Sequence, residues 1–283
     1  YIRDMIGGGV LNWNPGDITD DTIMSLTICD MFIKCGDYNQ EFLIKEWVKW
    51  KDTHPKDIGN WTKNALDAWS EFLKKSKIEG EVKEEYHTVI NLYSEHKNAA
   101  GNGGVMRCMP VALFEPGLNE RIIYSTKICR DTHPDPRCIQ SCCLIVESLH
   151  EIIENDLTKN EAMDRIIKIG ENVIDDDEFA DVFLESTFQF DDLEGKVIIN
   201  GGYTVDTVMS AISGFNISSN FEDALIHVVN QGNDADTTGA VCGSLLGAFY
   251  GFSSIPDRWL DTLKITDELI DKGEALYLRK IKS

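Results

Sequence analysis

Apolar residues recur along most of this chain at intervals of three and four, the period of a helix that buries one face. Ile23, Met24, Thr27, Ile28, Met31 and Phe32 form one such stripe, which ends near Gly36. Trp47, Val48 and Trp50 mark a second helix, and Leu66, Trp69, Phe72 and Leu73 a third, with the tryptophans assigned to the core. Further on, RIIYSTKICRD and CIQSCCLIVESLHEII read as helices on either side of a Pro-rich turn, THPDP. Thr158 with Glu161 and Ser219 with Glu222 fit the Ser/Thr-x-x-Glu box, in which side chains satisfy the free amides of a helix start. Only KVIIN, 196–200, is strand-like, and it is too short to found a sheet. The acidic runs DDDEFAD and DDLEG read as solvated helix ends and loops. The pattern predicts an all-α protein in one domain, without solenoid repeats or low-complexity segments.

Composition narrows the class. The chain has 283 residues, 42% of them hydrophobic and 27% charged, enough to bury a large core. Its 48 acidic and 27 basic side chains give a net charge of -21, which opposes attraction to nucleic acid phosphates and to anionic membranes. No stretch approaches the roughly 20 apolar residues of a membrane span, and no N-terminal run has the order of a secretion signal. The 8 cysteines include no matched CxxC pairs, so they read as buried free thiols in a reducing cytoplasm rather than as a zinc site. The chain begins at Tyr1 without a methionine, and an upstream segment, missing or processed, is therefore expected. The expected oligomeric state is a monomer.

Two acidic clusters carry the chemistry. In NPGDITDDTIM, Thr19, Asp20 and Asp21 open the first helix; in QGNDADTTGAVCGSLLGAFYG, Asp234, Asp236, Thr237 and Thr238 open a late one. Taken singly, either cluster reads as a helix cap, because carboxylates and hydroxyls are favoured where amides are free and the helix dipole is positive. Each nonetheless supplies two carboxylates and a hydroxyl where a cap needs one acceptor, and these are hard oxygen donors suited to Mg²⁺ or Mn²⁺. Gly239, Gly243 and Gly247 lie at spacing four along the late helix, and each costs roughly 1 kcal/mol against alanine, which implies close packing against another helix.

These motifs, together with DIGNWTKNAL, AAGNGGVMRCMPVALF, STKICRDTHPDP and GGYTVDTVMSAI, occur in an order that resembles the ADP-ribosylglycohydrolase family, within it the bacterial type that acts on dinitrogenase reductase. The resemblance implies an all-α orthogonal bundle with two divalent cations, Mg²⁺ or Mn²⁺, at the bottom of a cleft. It implies that Thr19, Asp20 and Asp21 ligate one ion and Asp234, Asp236 and Thr237 the other, with Asp236 bridging. It further implies a catalytic role for Asp57, beside the scissile bond, and for Asp236. Asn60, Asn102, Gly103, Gly104, Arg107, His133 and Tyr203 fall where the family binds substrate: the glycines as a diphosphate cradle, His133 in the ADP-ribose pocket, Tyr203 beneath adenine. Asn60 could equally cap its helix, and Arg107 could equally be a structural ion-pair partner. The expected reaction is hydrolysis of ADP-ribose from a modified protein, arginine-linked, with ADP-ribose as product. The alternatives are a serine-linked hydrolase, an inactive structural or ADP-ribose-binding relative, and a two-metal phosphoesterase, which fits the ligands but not the motif order. Family members usually begin with a Gly-rich helix, GxxxGDAxG in kind, upstream of the first acidic cluster, and this sequence starts after that point; were the protein to lack this helix, a pocket wall and an acidic ligand would be absent with it.

Overall fold

The first apolar stripe folds as α1 (Asp20–Cys35), and it ends where Gly36 takes the left-handed conformation, φ 73°, and returns its amide to the carbonyl of Phe32. In this computed structural model the described residues are 1–79, 100–187, 201–217 and 219–280. They form thirteen α-helices and no strand, an all-α architecture. KVIIN and DDLEG lie outside the described residues.

After α1 come α2 (Gln40–Lys51), α3 (Asn60–Glu79), a short 3₁₀ turn at Val105–Arg107, α4 (Pro110–Phe114), α5 (Leu118–Arg130) and α6 (Pro136–Glu154). Then follow α7 (Lys159–Val173), α8 (Asp177–Thr187), α9 (Thr204–Ile217), α10 (Phe221–Val229), α11 (Ala235–Tyr250), α12 (Asp257–Thr262) and α13 (Thr266–Lys280). Helix α6 is buried on nearly all sides, from Cys138 to Ile152, and α5, α7, α9 and α11 pack around it. Helices α9, α10 and α11 form the tightest group. A Cβ on Gly214 of α9 would lie 2.2 Å from Val228 Cγ2 and 2.9 Å from Cys242 Sγ, so only glycine lets the three helices meet. Gly239 and Gly243 face Leu225 and Val229 of α10, whereas Gly247 faces open space, so the packing inferred from the glycine stripe covers its first two positions.

Trp47 and Trp69 are buried as expected, and seven of the eight cysteines are buried thiols, with Cys35 exposed. The Thr158–Glu161 box forms in full at the start of α7. The Ser219–Glu222 box does not. Helix α10 is capped one residue later by Asn220, whose side chain accepts from the amide of Asp223, while the carboxylate of Glu222 is drawn away by Arg3 and Arg258. At the start of the DDDEFAD run, Asp176 accepts the amide of Phe179 and Asp177 is exposed, whereas Glu178, also exposed, pairs with Arg137 and accepts from the Tyr203 hydroxyl.

Candidate active site

Two helix starts and two loops meet around a cavity of about 420 Å³. Helix α1 contributes Asp20, helix α11 and its N-cap contribute Asp236, Thr237 and Asp234, the loop before α3 contributes Asp57 and Gly59 and the first residue of α3 Asn60, and the 101–103 segment forms a wall with His133 above it. Among the described residues, no lysine or arginine lines the cavity.

The carboxylates show the strain of that crowding. Asp20 is pushed up to about 6, by burial and then by the charge of Asp57, although the Gly59 amide donates to it. Asp21, just behind, is pushed up to about 8 by burial and by Asp20 and Asp236. Asp57 is raised by burial and by Asp234, and Asp236 by loss of hydration and by Asp234, with which it lies close enough to share a proton. Thr19 occupies the N-cap position of α1, but its hydroxyl does not cap the helix; it donates to Asp21 Oδ2 at 2.8 Å. The other oxygen, Asp21 Oδ1, is buried without a hydrogen-bond partner.

That orphaned oxygen and the mutual repulsion of these carboxylates, with no lysine or arginine among the described lining residues, fit a hard divalent ion. Among the described residues, no three His, Cys, Asp or Glu side chains converge on one point. Asp20, Asp57, Asp234, Asp236 and Thr237 surround a shared space, whereas Thr19 and Asp21, bonded to each other, do not line it.

The remaining predicted residues divide in two. Asn60 is the first residue of α3 and lines the cavity. Asn102 lines it too, but its amide is committed, donating to Asp234 Oδ2 at 2.7 Å and to Thr207 at 3.0 Å, so it holds a carboxylate in place. Gly103 sits under the imidazole of His133: a Cβ there would be 2.7 Å from His133 Cε1 and 2.9 Å from Thr62 Oγ1. Gly104 lies behind the wall against Cys129 and Cys142. Arg107 does not reach the cavity. It is fully buried, stacked 4.3 Å over the Trp47 ring, and donates to Ile128 O and the Thr132 hydroxyl. Nor does Tyr203 line the cavity. Its ring lies beneath the Arg137 guanidinium, its hydroxyl donates to Glu178, and its flanking backbone pairs with the glycine loop through Asn102 N–H to Gly202 O and Thr204 N–H to Ala100 O.

Residues that the sequence did not single out complete the walls: Gly59, Trp61, Thr62, Gly101, Met106 and Gly202. Helix α3 presents two indoles two turns apart, and their N–H groups hold consecutive carbonyls of the THPDP turn, Trp69 to Asp131 O at 2.7 Å and Trp61 to Thr132 O at 2.6 Å. The spacing of Trp61 and Trp69 on one face was the available signal.

Asp131 anchors that turn from below, receiving Tyr38 and Gln40, and burial pushes its carboxyl from 3.8 up to about 7 against the pull of those donors and of Arg107 and Lys127. The folded chain therefore keeps this proton where the unfolded chain has lost it. The group's contribution to stability is full below about pH 4 and is lost as the pH rises through 7. Asp131→Asn is expected to remove that slope, flattening the difference between denaturation at pH 5 and pH 8 by on the order of 2 kcal/mol. Parallel slopes in the two proteins would contradict it.

Two acidic helix starts that face a glycine loop across one cavity define, in this all-helical bundle, a carboxylate-lined cleft. The sequence model of the ADP-ribosylglycohydrolase family matches residues 1–282, and the chain belongs to that family. It is 31% identical to the ADP-ribosyl-[dinitrogen reductase] glycohydrolase of Rhodospirillum rubrum, over 97% of this chain and 83% of that protein. It is 26% identical to the ADP-ribosylarginine hydrolase Tri1 of Serratia proteamaculans, over 98% of this chain and 71% of that protein. A solved structure described as an ADP-ribosylglycohydrolase-related protein complex superposes with a TM-score of 0.76 at 24% identity, covering 99% of this chain and 87% of that one, which shows a shared fold. Among the described residues, no helix is long and apolar enough to cross a membrane.

Proposed function

We propose that this protein is a divalent-cation-dependent hydrolase that removes ADP-ribose from modified arginine side chains by cleaving the N-glycosidic bond. The observation that carries the reading is the cavity itself, where Asp20, Asp57, Asp234 and Asp236 face one another with no lysine or arginine among the described lining residues. An ADP-ribosylated arginine keeps its guanidinium charge, and Asp57, the lining carboxylate not assigned to a cation, is an acidic partner for that leaving group, whereas a serine linkage offers no such charge. The names of the Rhodospirillum and Serratia relatives support the same choice.

Thr19, Asp20 and Asp21 would hold one cation and Asp234, Asp236 and Thr237 the other, with Mg²⁺ or Mn²⁺ as the ions that hard oxygen donors select. When bound, the ions supply Lewis acidity and a lowered water pKa. The chain's own residues do the rest. Asn102 fixes Asp234 through its 2.7 Å bond, and the Gly101–Gly103 wall admits close approach of a phosphate or sugar. Asp57 is half-buried, its carboxyl raised by burial and by Asp234, and it stands where it can pass a proton to the departing nitrogen or take one from the attacking water.

The test is release of free ADP-ribose from arginine-modified and serine-modified peptides, with Mg²⁺ or Mn²⁺ present. Release is expected from the arginine peptide and its loss on adding EDTA. Release from serine alone would replace the arginine assignment, and release unaffected by EDTA would end the cation assignment.

A further inference from the structure

Behind the cavity wall, three buried residues form a chain of hydrogen bonds from a fixed positive charge to the ligand space. Arg107, fully buried, donates through Nη2 to the hydroxyl of Thr132, and that hydroxyl lies 2.7 Å from His133 Nδ1. Thr132 is itself inaccessible and His133 is 2% exposed. The ring's other nitrogen, Nε2, has no protein partner among the described residues and lies over the glycine loop, 3.4 Å from where a Cβ on Gly101 would stand. His133 lines the cavity.

We propose that Arg107, acting through the Thr132 hydroxyl, fixes the tautomer of His133 so that this histidine meets its ligand as an Nε2–H donor. The direction follows from what each group can do. A guanidinium only donates, so the Thr132 oxygen must accept from Arg107. The threonine proton then needs an acceptor of its own, and among the described residues His133 Nδ1 is the one within reach. If Nδ1 instead carried the ring proton, the hydroxyl hydrogen would be left buried and unpaired, a state that folded proteins avoid. The adjacent positive charge polarises the hydroxyl and makes it a better donor, reinforcing the same direction. Burial and the Arg107 charge also oppose an imidazolium.

The consequence is chemical. Nε2–H offers a neutral donor in a cavity that four carboxylates also line, and it selects an acceptor oxygen, not a proton to be abstracted. That the oxygen belongs to the diphosphate or ribose of ADP-ribose rests on the function proposed above; the tautomer does not. Arg107, which sequence alone placed at the substrate or in an ion pair, becomes a positioning residue two bonds removed.

The experiment is a long-range ¹H–¹⁵N spectrum of the protein labelled at its histidine rings, with His133 assigned by its loss in His133→Asn. The expected pattern is a neutral ring protonated at Nε2. A ring protonated at Nδ1, or at both nitrogens at neutral pH, overturns the proposal. Thr132→Ser keeps the hydroxyl and should keep both the tautomer and the Kd for ADP-ribose. Thr132→Val removes the hydroxyl at equal volume and should release the tautomer and weaken ADP-ribose binding about tenfold, the effect of one hydrogen bond. Unchanged tautomer and affinity in Thr132→Val would also overturn it. Should Thr132→Val fail to fold, the wild-type spectrum still decides. If the spectrum is as expected but the wild type does not bind ADP-ribose, the proposed function falls and the relay stands.

Discussion

Asp236→Asn will lower the rate of ADP-ribose release from arginine-modified protein by about 10³-fold while leaving the helices folded. The carboxamide keeps the shape of the side chain and removes its charge, at the point where Asp234 and Asp236 lie close enough to share a proton. Loss of one preorganised charged group at a reacting centre costs on the order of 10²–10³ in rate, and the loss of an ion held by it adds to that. Folding should not suffer, since the substitution relieves repulsion with Asp234 and Asp57. The two effects separate in a thermal melt. The wild type should gain about 5 °C in Tm from Mn²⁺ at a hundredfold excess over its Kd, because a ligand that binds only the native state stabilises it. The variant should gain much less. A variant with full activity, or a wild type whose Tm ignores both Mg²⁺ and Mn²⁺, would remove the cation from the mechanism.

The helices that carry this site were legible because their signals are local. The stripe from Ile23 to Phe32 needs only a period to be read, and Gly36 ends it through its own backbone freedom. The two Asp clusters were legible as helix starts for the same reason, and their pairing came from motif order, since no local rule says that residue 20 faces residue 236. What resisted reading was settled by partners remote in sequence. Ser219 loses the capping role to Asn220 because Arg3 and Arg258 claim Glu222. Thr19 is the exception, turning its hydroxyl to Asp21 two residues on. Tyr203 spends its ring on Arg137 and its flanking amides on the glycine loop. Arg107 is the sharpest case: beside GNGG it looks like a phosphate ligand, yet the Trp47 face and the Thr132 hydroxyl hold it inside the core.

Glu147→Ala is expected to be the most destabilising single change outside the cavity. Arg121 near the start of α5 and Glu147 within α6 form a two-pronged pair, Nε to Oε1 at 2.9 Å and Nη2 to Oε2 at 2.7 Å, with side chains only 4% and 5% exposed. The remaining guanidinium nitrogen is held by the carbonyl of Pro116 at 2.6 Å, so Arg121 cannot swing out to water without breaking the turn before its helix. Removing the carboxylate therefore strands a buried charge, at a cost of roughly 3–5 kcal/mol, or a fall in Tm of about 6–15 °C for a chain of this size. Glu147→Gln should cost less, since one acceptor oxygen remains. The pair itself need not be net stabilising, because burying both charges sacrifices their hydration. The double change Arg121→Met with Glu147→Leu should accordingly recover most of the loss, and chemical denaturation of the four proteins measures the coupling directly. Losses that simply add would mean that the two side chains stabilise the α5–α6 contact independently, and that the stranded charge is not what unfolds it.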